Sequence, residues 1–503
     1  MLVTIASFLW QGHMGFNLWD EGFLWYGAQR TALGEVPIRD FMAYDPGRYY
    51  WVAAFIKATG NDGIMLVRAA VAVFQAVGLF LALKLVVGAD GTAGAHRLTY
   101  AVLVALTLVL WMYPRHKLFD ITLSIVLLST LAALARDPIL RRYVAAGACL
   151  GLVAFFGRNH GLYGAIASIG LILWLAASRQ SPTPLPAALA AWGGGVLLGY
   201  LPMAVMALAV PGFANEFWLQ LRFLFEMKAT NLPLPVPWPW RADWAGLPTK
   251  WALSATMVGL FFIAVLAFPV VSLVGMAIAR LRGNRNSPVL MAAAFLSLPY
   301  AHYAFSRADA GHLAQGLFPL LVGSLAWLAY QRATPRWIGS ATLLAASVAA
   351  IGPHQPGWQC RVIPACQPTQ VRGDDLRMGA GPRGDIELIL DMDRRYAPGG
   401  ESMLATPYWP GAYALLGKRA PNWEIYALFG RSKAFEMREI ARIEAAAPAY
   451  ALVIDWPLDG RDELRFPRTH PLTYRYLLEH YEQLPAAGSP IVVQRFRRKG
   501  TSQ

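Results

Sequence analysis

The chain has 503 residues, 56% of them hydrophobic and 15% charged, with a formal net charge of +14 at pH 7. A soluble protein carries roughly 25% Asp, Glu, Lys and Arg, so a wholly soluble chain is excluded. The apolar surplus is concentrated in continuous blocks of about 16–25 residues, the length that crosses the hydrocarbon layer as a helix.

Lipid admits only helices or closed barrels, and continuous rather than alternating blocks select helices. In chain order the expected spans are 1–12, 64–87, 98–113, 119–135, 143–156, 164–178, 187–209, 251–279, 289–305, 313–330 and 337–352. The expectation is an α-helical polytopic membrane protein with about 11 transmembrane helices. Residues 1–12 lack the basic region and small-residue cleavage site of a secretory signal and are read as a span. Long segments at about 13–63 and 210–250 interrupt the series. The second contains Leu232-Pro233-Leu234-Pro235-Val236-Pro237-Trp238-Pro239-Trp240. Pro forbids regular helix and Trp favours the lipid–water interface, so this segment is read as a loop on the membrane surface.

Basic residues set the orientation. Arg97, Arg136, Arg141, Arg142, Arg179, Arg280, Arg282, Arg285, Arg332 and Arg336 fall in alternate short loops. The intervening short loops hold only Arg115, Lys117, Arg158 and Arg307. The richer set is expected to be cytoplasmic, which places the N-terminus inside and the C-terminus outside a bacterial inner membrane. Cys360 and Cys366 then lie on the external side, where an oxidising compartment permits a disulfide, while Cys149 lies within a span.

After about residue 353 the composition becomes that of a soluble domain, giving a division into 1–352 and 353–503. Helices are expected at Asp385–Tyr396, Lys433–Ala445 and Tyr474–Leu484. Strands are expected at Ser402–Thr406, Tyr450–Asp455 and Pro490–Phe496. Helix alternating with strand implies a small extracytoplasmic α/β domain. No internal repeat or low-complexity tract is present.

The first long segment reads Asn17-Leu18-Trp19-Asp20-Glu21-Gly22, then Tyr26, Gly34-Glu35-Val36-Pro37, Asp40-Phe41 and Asp45-Pro46-Gly47-Arg48-Tyr49-Tyr50. Adjacent carboxylates within a few residues of a span suit proton abstraction, because partial desolvation makes a carboxylate a better base. They equally suit a helix N-terminus, where the dipole favours acidic residues, and one residue can do both.

In these motifs the chain resembles the GT-C superfamily of membrane glycosyltransferases, which includes protein mannosyltransferases and bacterial aminoarabinose and arabinofuranosyl transferases. The resemblance covers about 1–352, by topology and by a loose motif. It implies transfer of a sugar from a polyprenyl-phosphate donor to a glycan, lipid or protein acceptor on the outer face of the membrane. It implies Asp20 as the base with Glu21 beside it, and Asp40, Arg48 and Tyr49 as further candidates. Related enzymes often carry a Lys just before the Pro of the Pro-Gly-like motif. Asp45 stands there instead, with Arg48 after it.

A leaving lipid phosphate needs positive charge where its own charge develops. Three clusters on the expected external side supply it: Arg115-His116-Lys117 with Asp120 beyond, Arg158-Asn159-His160, and Arg307-Ala308-Asp309-Ala310-Gly311-His312. Each could equally be an interfacial cation reaching lipid headgroups. Arg307 and His312 lead the set, with Asp120 and Asp309 as orienting partners or, for Asp120, a second acidic site residue. No HExxH, paired Cys-x-x-Cys or Walker A motif is present, so neither a metal, nor another cofactor, nor ATP-driven transport is supported. Nucleic acid is not an expected partner. Two other functions remain open: a lipid or polysaccharide transporter or flippase, and a polysaccharide polymerase or ligase with a basic catalytic centre.

Overall fold

The structure is a computed structural model that describes residues 1–88, 96–227, 231–362, 364–485 and 493–500. The chain forms two compact units: Met1–Trp10 with Val71–Trp358, and Gln11–Ala70 with Gln359–Gln503. The loop expected to accompany the membrane part is therefore grouped with the C-terminal segment, for packing reasons given below.

The first unit is helical. Ile64–Val87 (in this unit from Val71), Arg115–Arg136, Arg158–Ala177, Thr249–Leu281 and Pro288–Ser306 are long and apolar enough to cross a membrane. Two bent pairs, Leu185–Gly199 with Leu201–Ala209 and Ala310–Gly316 with Phe318–Ala329, raise the number to seven if each is one span. The bends are 50° and 55°, and Pro202 and Pro319 stand in the first turn after each break. Proline there needs no N–H partner, so it can restart a helix that a break has ended. Among the described residues, five to seven spans meet the length and composition test, against the eleven blocks expected. Leu2–Gln11 and Arg97–Trp111 are apolar but shorter.

Helices Leu140–Phe156 and Leu185–Gly199 approach through facing glycines. A Cβ on Gly147 would lie 2.0 Å from the Trp192 carbonyl oxygen, and one on Gly199 would lie 1.9 Å from that of Ala148. Small residues four apart on both helices allow this backbone contact, which larger side chains would prevent. The segment 210–250 is not all loop. Phe213–Met227 forms a helix before the proline-rich stretch, which holds only the short turn Pro239–Arg241.

In the second unit, Asp20–Ala32 and Gly47–Thr59 are helices within the expected loop. Strands β1 (Gln367–Val371) and β2 (Asp374–Met378) form a hairpin, which the sequence reading did not anticipate. Its turn residues Arg372 and Gly373 both have positive φ, the geometry that matches strand twist in a two-residue hairpin loop. A four-stranded sheet follows, containing β3 (Met403–Thr406), β4 (Tyr450–Ile454), β5 (Tyr481–Leu484) and β6 (Val493–Arg498), in the order β3-β4-β6-β5. Only β3 and β4 are parallel.

Helix Ala380–Tyr396 starts earlier than expected, and Lys433–Ala446 lies where expected. The helix read over Tyr474–Leu484 is instead Pro471–His480 followed by β5. Tyr481 buries its ring in the sheet core beside Phe496 and Leu477, which selects strand over a further helical turn. Of the strand expected at Pro490–Phe496, residues 490–492 lie outside the described residues. Cys360 and Cys366 are bonded, with Cα atoms 5.0 Å apart.

Candidate functional site

In the second unit, the Asn17 side-chain oxygen accepts from the backbone N–H groups of Trp19 (2.7 Å) and Asp20 (3.1 Å). This starts the helix with Asp20 and Glu21 in its first turn, where the dipole favours carboxylates. Gly22 permits a close backbone approach: a Cβ there would lie 2.5 Å from the Gly411 Cα. The Gly411 N–H donates to the Leu18 carbonyl at 3.0 Å. These contacts fix the Asp-Glu pair against the segment after β3.

The two carboxylates have different environments. Glu21 is buried and accepts two hydrogen bonds from Arg68, each 2.7 Å. The same guanidinium donates to the carbonyls of Gly12 (2.7 Å) and Gly15 (2.8 Å). Arg68 is thus an interior ion-pair partner rather than a cation reaching for lipid. Asp20 is half-buried, and its Oδ1 accepts from the Tyr426 phenol at 3.2 Å. Around it Trp19 stacks on Tyr408 at 4.8 Å, and Phe23 contacts Tyr44 and Tyr426.

The other loop candidates hold the loop in shape. Asp40 accepts two hydrogen bonds from Arg39 and one from the Val36 N–H. Burial by itself would raise its pKa, but these bonds outweigh burial and hold the carboxyl below its ordinary value. The Tyr49 oxygen accepts from the Tyr44 N–H, and complete burial pushes its phenol pKa far up. Arg48 is buried with its guanidinium 5.1 Å from the Tyr44 ring centre.

The basic clusters lie in the first unit. Arg158, Asn159 and His160 do not form an interhelical loop. Gly157 alone separates helix Leu140–Phe156 from Arg158–Ala177, so the cluster opens the second helix. His160 is buried, with Nε2 3.0 Å from Asp120 Oδ1 and Nδ1 2.8 Å from the Tyr300 oxygen. An ionised Asp120 accepts, so Nε2 carries the proton and Nδ1 accepts from Tyr300. Both ring nitrogens of His160 are thus engaged inside the helical bundle. Arg158 donates to Gln220 (3.3 Å) and lies 5.5 Å from the Phe217 ring centre, both on helix Phe213–Met227.

Asp309 caps helix Ala310–Gly316 and ties Arg307 to His312, with contacts of 3.0 Å to Arg307 Nε and 2.9 Å to His312 Nδ1. Burial would raise the Asp309 pKa, but the hydrogen bonds and charge of its partners outweigh burial and lower it. Arg307 also donates to the Leu232 carbonyl at 3.1 Å. The Leu232 N–H donates to Asn231 Oδ1, which orients the Asn231 amide group toward His312 Nε2 at 2.8 Å. His312 Nε2 therefore accepts, and Nδ1 donates to Asp309.

The turn Arg115–Lys117 is half-buried, and the preceding Pro114 ring lies against Gly311. Tyr303 bridges the clusters, its ring centre 5.4 Å from that of His160 and 6.0 Å from that of His312. His354, not singled out in the sequence, belongs with them. Burial lowers its pKa, and the charge of Asp309 opposes that shift. Among the described residues, no group of three or more His, Cys, Asp or Glu could hold a metal ion.

No protein-family model matches the chain, and no curated protein sequence matches it. Among solved structures it is similar to ArnT from Cupriavidus metallidurans bound to undecaprenyl phosphate, with a TM-score of 0.56 and 13% identity. That similarity covers 100% of this chain and 97% of the other. Weaker likenesses are to the Archaeoglobus fulgidus oligosaccharyltransferase (TM-score 0.45, 11% identity, 100% and 73% covered) and to the mycobacterial arabinofuranosyltransferase AftD (0.41, 13%, 100% and 40%). The chain therefore shares the fold of that ArnT structure, a membrane glycosyltransferase of the kind the loop motif resembles.

Proposed function

We propose that the protein is a glycosyltransferase that takes a sugar from a polyprenyl-phosphate carrier and passes it to a glycan, lipid or protein acceptor. The reading places transfer at the outer face of a bacterial inner membrane, with the N-terminus cytoplasmic and residues after about 353 external. What supports it most is the asymmetry of the Asp-Glu pair within a GT-C fold. Glu21 is neutralised by Arg68, whereas Asp20 stays half-buried beside an aromatic cluster. The Cupriavidus protein is described with undecaprenyl phosphate bound, and the proposal carries that class of lipid to this chain.

Asp20 takes the proton of the acceptor hydroxyl while its oxygen attacks the anomeric carbon. The bond from that carbon to the phosphate oxygen breaks on the opposite face, so configuration inverts. The leaving phosphate keeps the electron pair and needs cations. Arg307, Arg115, Lys117 and Arg158 are proposed for that role, with His116 and His312 as donors when protonated. Asp309 orients Arg307 and His312. Asp120 and His160 support the cations from within the bundle. Glu21 anchors the loop.

The test supplies purified protein with radiolabelled polyprenyl-phosphate sugars and candidate acceptors. Label moving from the lipid to an acceptor is expected. Movement of intact lipid across proteoliposomes without sugar transfer would replace this reading with a transporter.

A further inference from the structure

The hydrogen bond from Tyr426 to Asp20 joins residues far apart in sequence but within one compact unit. Tyr426 is buried, and its ring packs on Phe23 at 5.6 Å and Tyr408 at 6.1 Å. Its segment is anchored firmly. Glu439 accepts from the N–H groups of Trp423 and Glu424, each at 2.9 Å. The Glu424 carboxylate is held by Arg431 (2.5 Å) and His470 (2.9 Å), and Arg431 stacks on Phe435 at 4.4 Å. The Ala427 N–H donates to the Pro407 carbonyl at 3.0 Å, and the Trp423 indole N–H to the Ile38 carbonyl at 2.9 Å. A buried Glu–Arg–His network thus lies two residues from a tyrosine whose one described polar partner is the proposed base.

We infer that Tyr426 is the positioning residue for Asp20: its phenol fixes the carboxylate in one orientation and stabilises the charged form that accepts the proton. The inference rests on the reading of Asp20 as base. It makes the C-terminal segment part of the active centre rather than an appendage. The groups facing the phenol are Asp20 from the helix, Tyr44 from the loop and Tyr408 from the segment after β3, with Asp459 acting on Tyr408. Burial and the charge of Asp20 raise the Tyr426 pKa well above its ordinary value, so the phenol keeps its proton and remains a donor.

The test compares Tyr426→Phe with Asp20→Asn and with Tyr474→Phe, which removes a phenol that donates to Gln494 elsewhere in the unit. Tyr426→Phe keeps the ring packing and so the fold. Its kcat is expected to fall about 10- to 100-fold, the value of a hydrogen bond to a charged group. The acid limb of its pH–rate profile is expected to move to higher pH, because a carboxylate without that donor holds its proton longer. A merely structural role would leave that limb in place. Tyr474→Phe is expected to match wild type. If Asp20→Asn is inactive while Tyr426→Phe retains both rate and pH profile, the inference is overturned and the base assignment stands. If Asp20→Asn is active, the base assignment falls and the inference with it.

Discussion

Replacing Glu21 with Gln separates a structural role from a catalytic one. The change keeps size and removes charge, leaving Arg68 buried with two backbone carbonyls and no counter-ion. Side-chain exposure of the pair is only 2% for Arg68 and 7% for Glu21, so water does not replace the lost partner. Breaking such a pair by removing one member costs about 3–5 kcal/mol. In a unit of about 200 residues each kcal/mol lowers Tm by about 2–4 °C, so a fall of roughly 6–20 °C is expected. Tryptophan fluorescence in detergent during a thermal ramp reads it. The double variant Glu21→Gln/Arg68→Met should regain part of the loss, because it removes the orphaned charge. A Glu21→Gln protein that melts like wild type but has lost transfer would refute this account and make Glu21 a participant in the chemistry.

Gly147→Leu should force helices Leu140–Phe156 and Leu185–Gly199 apart and cost about 3 kcal/mol or more, read as lower Tm and faster proteolysis. Gly194→Ala, where a Cβ meets nothing within 4 Å, should be neutral or stabilising by up to about 1 kcal/mol. Asp385 is buried in helix Ala380–Tyr396, and desolvation pushes its pKa up to about 6. A raised carboxyl favours the folded state while protonated and loses that contribution as pH climbs from about 4 through 6. Asp385→Asn should therefore raise Tm at pH 7 and leave it unchanged near pH 4. Cys360→Ser should lower stability by about 2 kcal/mol, and unreduced wild-type protein should show linked Cys360 and Cys366 peptides by mass spectrometry.

The membrane helices were legible because lipid leaves few alternatives. The expected blocks coincide with helices or bent helix pairs, of which five to seven meet the length and composition of a span, and one misreading lies where polar residues extend a helix. Arg158 to His160 were read as loop because charge normally ends a span, yet Asp120 and Tyr300 satisfy His160 inside the bundle. Helix Phe213–Met227 was hidden by the prolines that follow it. In the C-terminal segment Tyr474–Leu484 has no Gly or Pro to show where helix gives way to β5, so only pairing with β6 decides. Among the candidate residues, Asp20 was singled out by its motif, and Arg307, Asp309 and His312 by their spacing. Tyr426, His354, Asn231 and the partnership of Glu21 with Arg68 were not. Each depends on contacts between residues distant in sequence, which local pattern does not encode.

The central claim is that Asp20 is the base and that Arg307 belongs to the donor-phosphate site. The most direct measurement sets transfer rate against donor affinity for Asp20→Asn and Arg307→Ala, using one radiolabelled polyprenyl-phosphate sugar. Asp20→Asn is expected to lose about 10²- to 10⁴-fold in rate while binding donor as wild type does. Arg307→Ala should weaken donor binding together with turnover. Near wild-type transfer by Asp20→Asn would contradict the account and reduce Asp20 to an acidic first-turn residue favoured by the helix dipole.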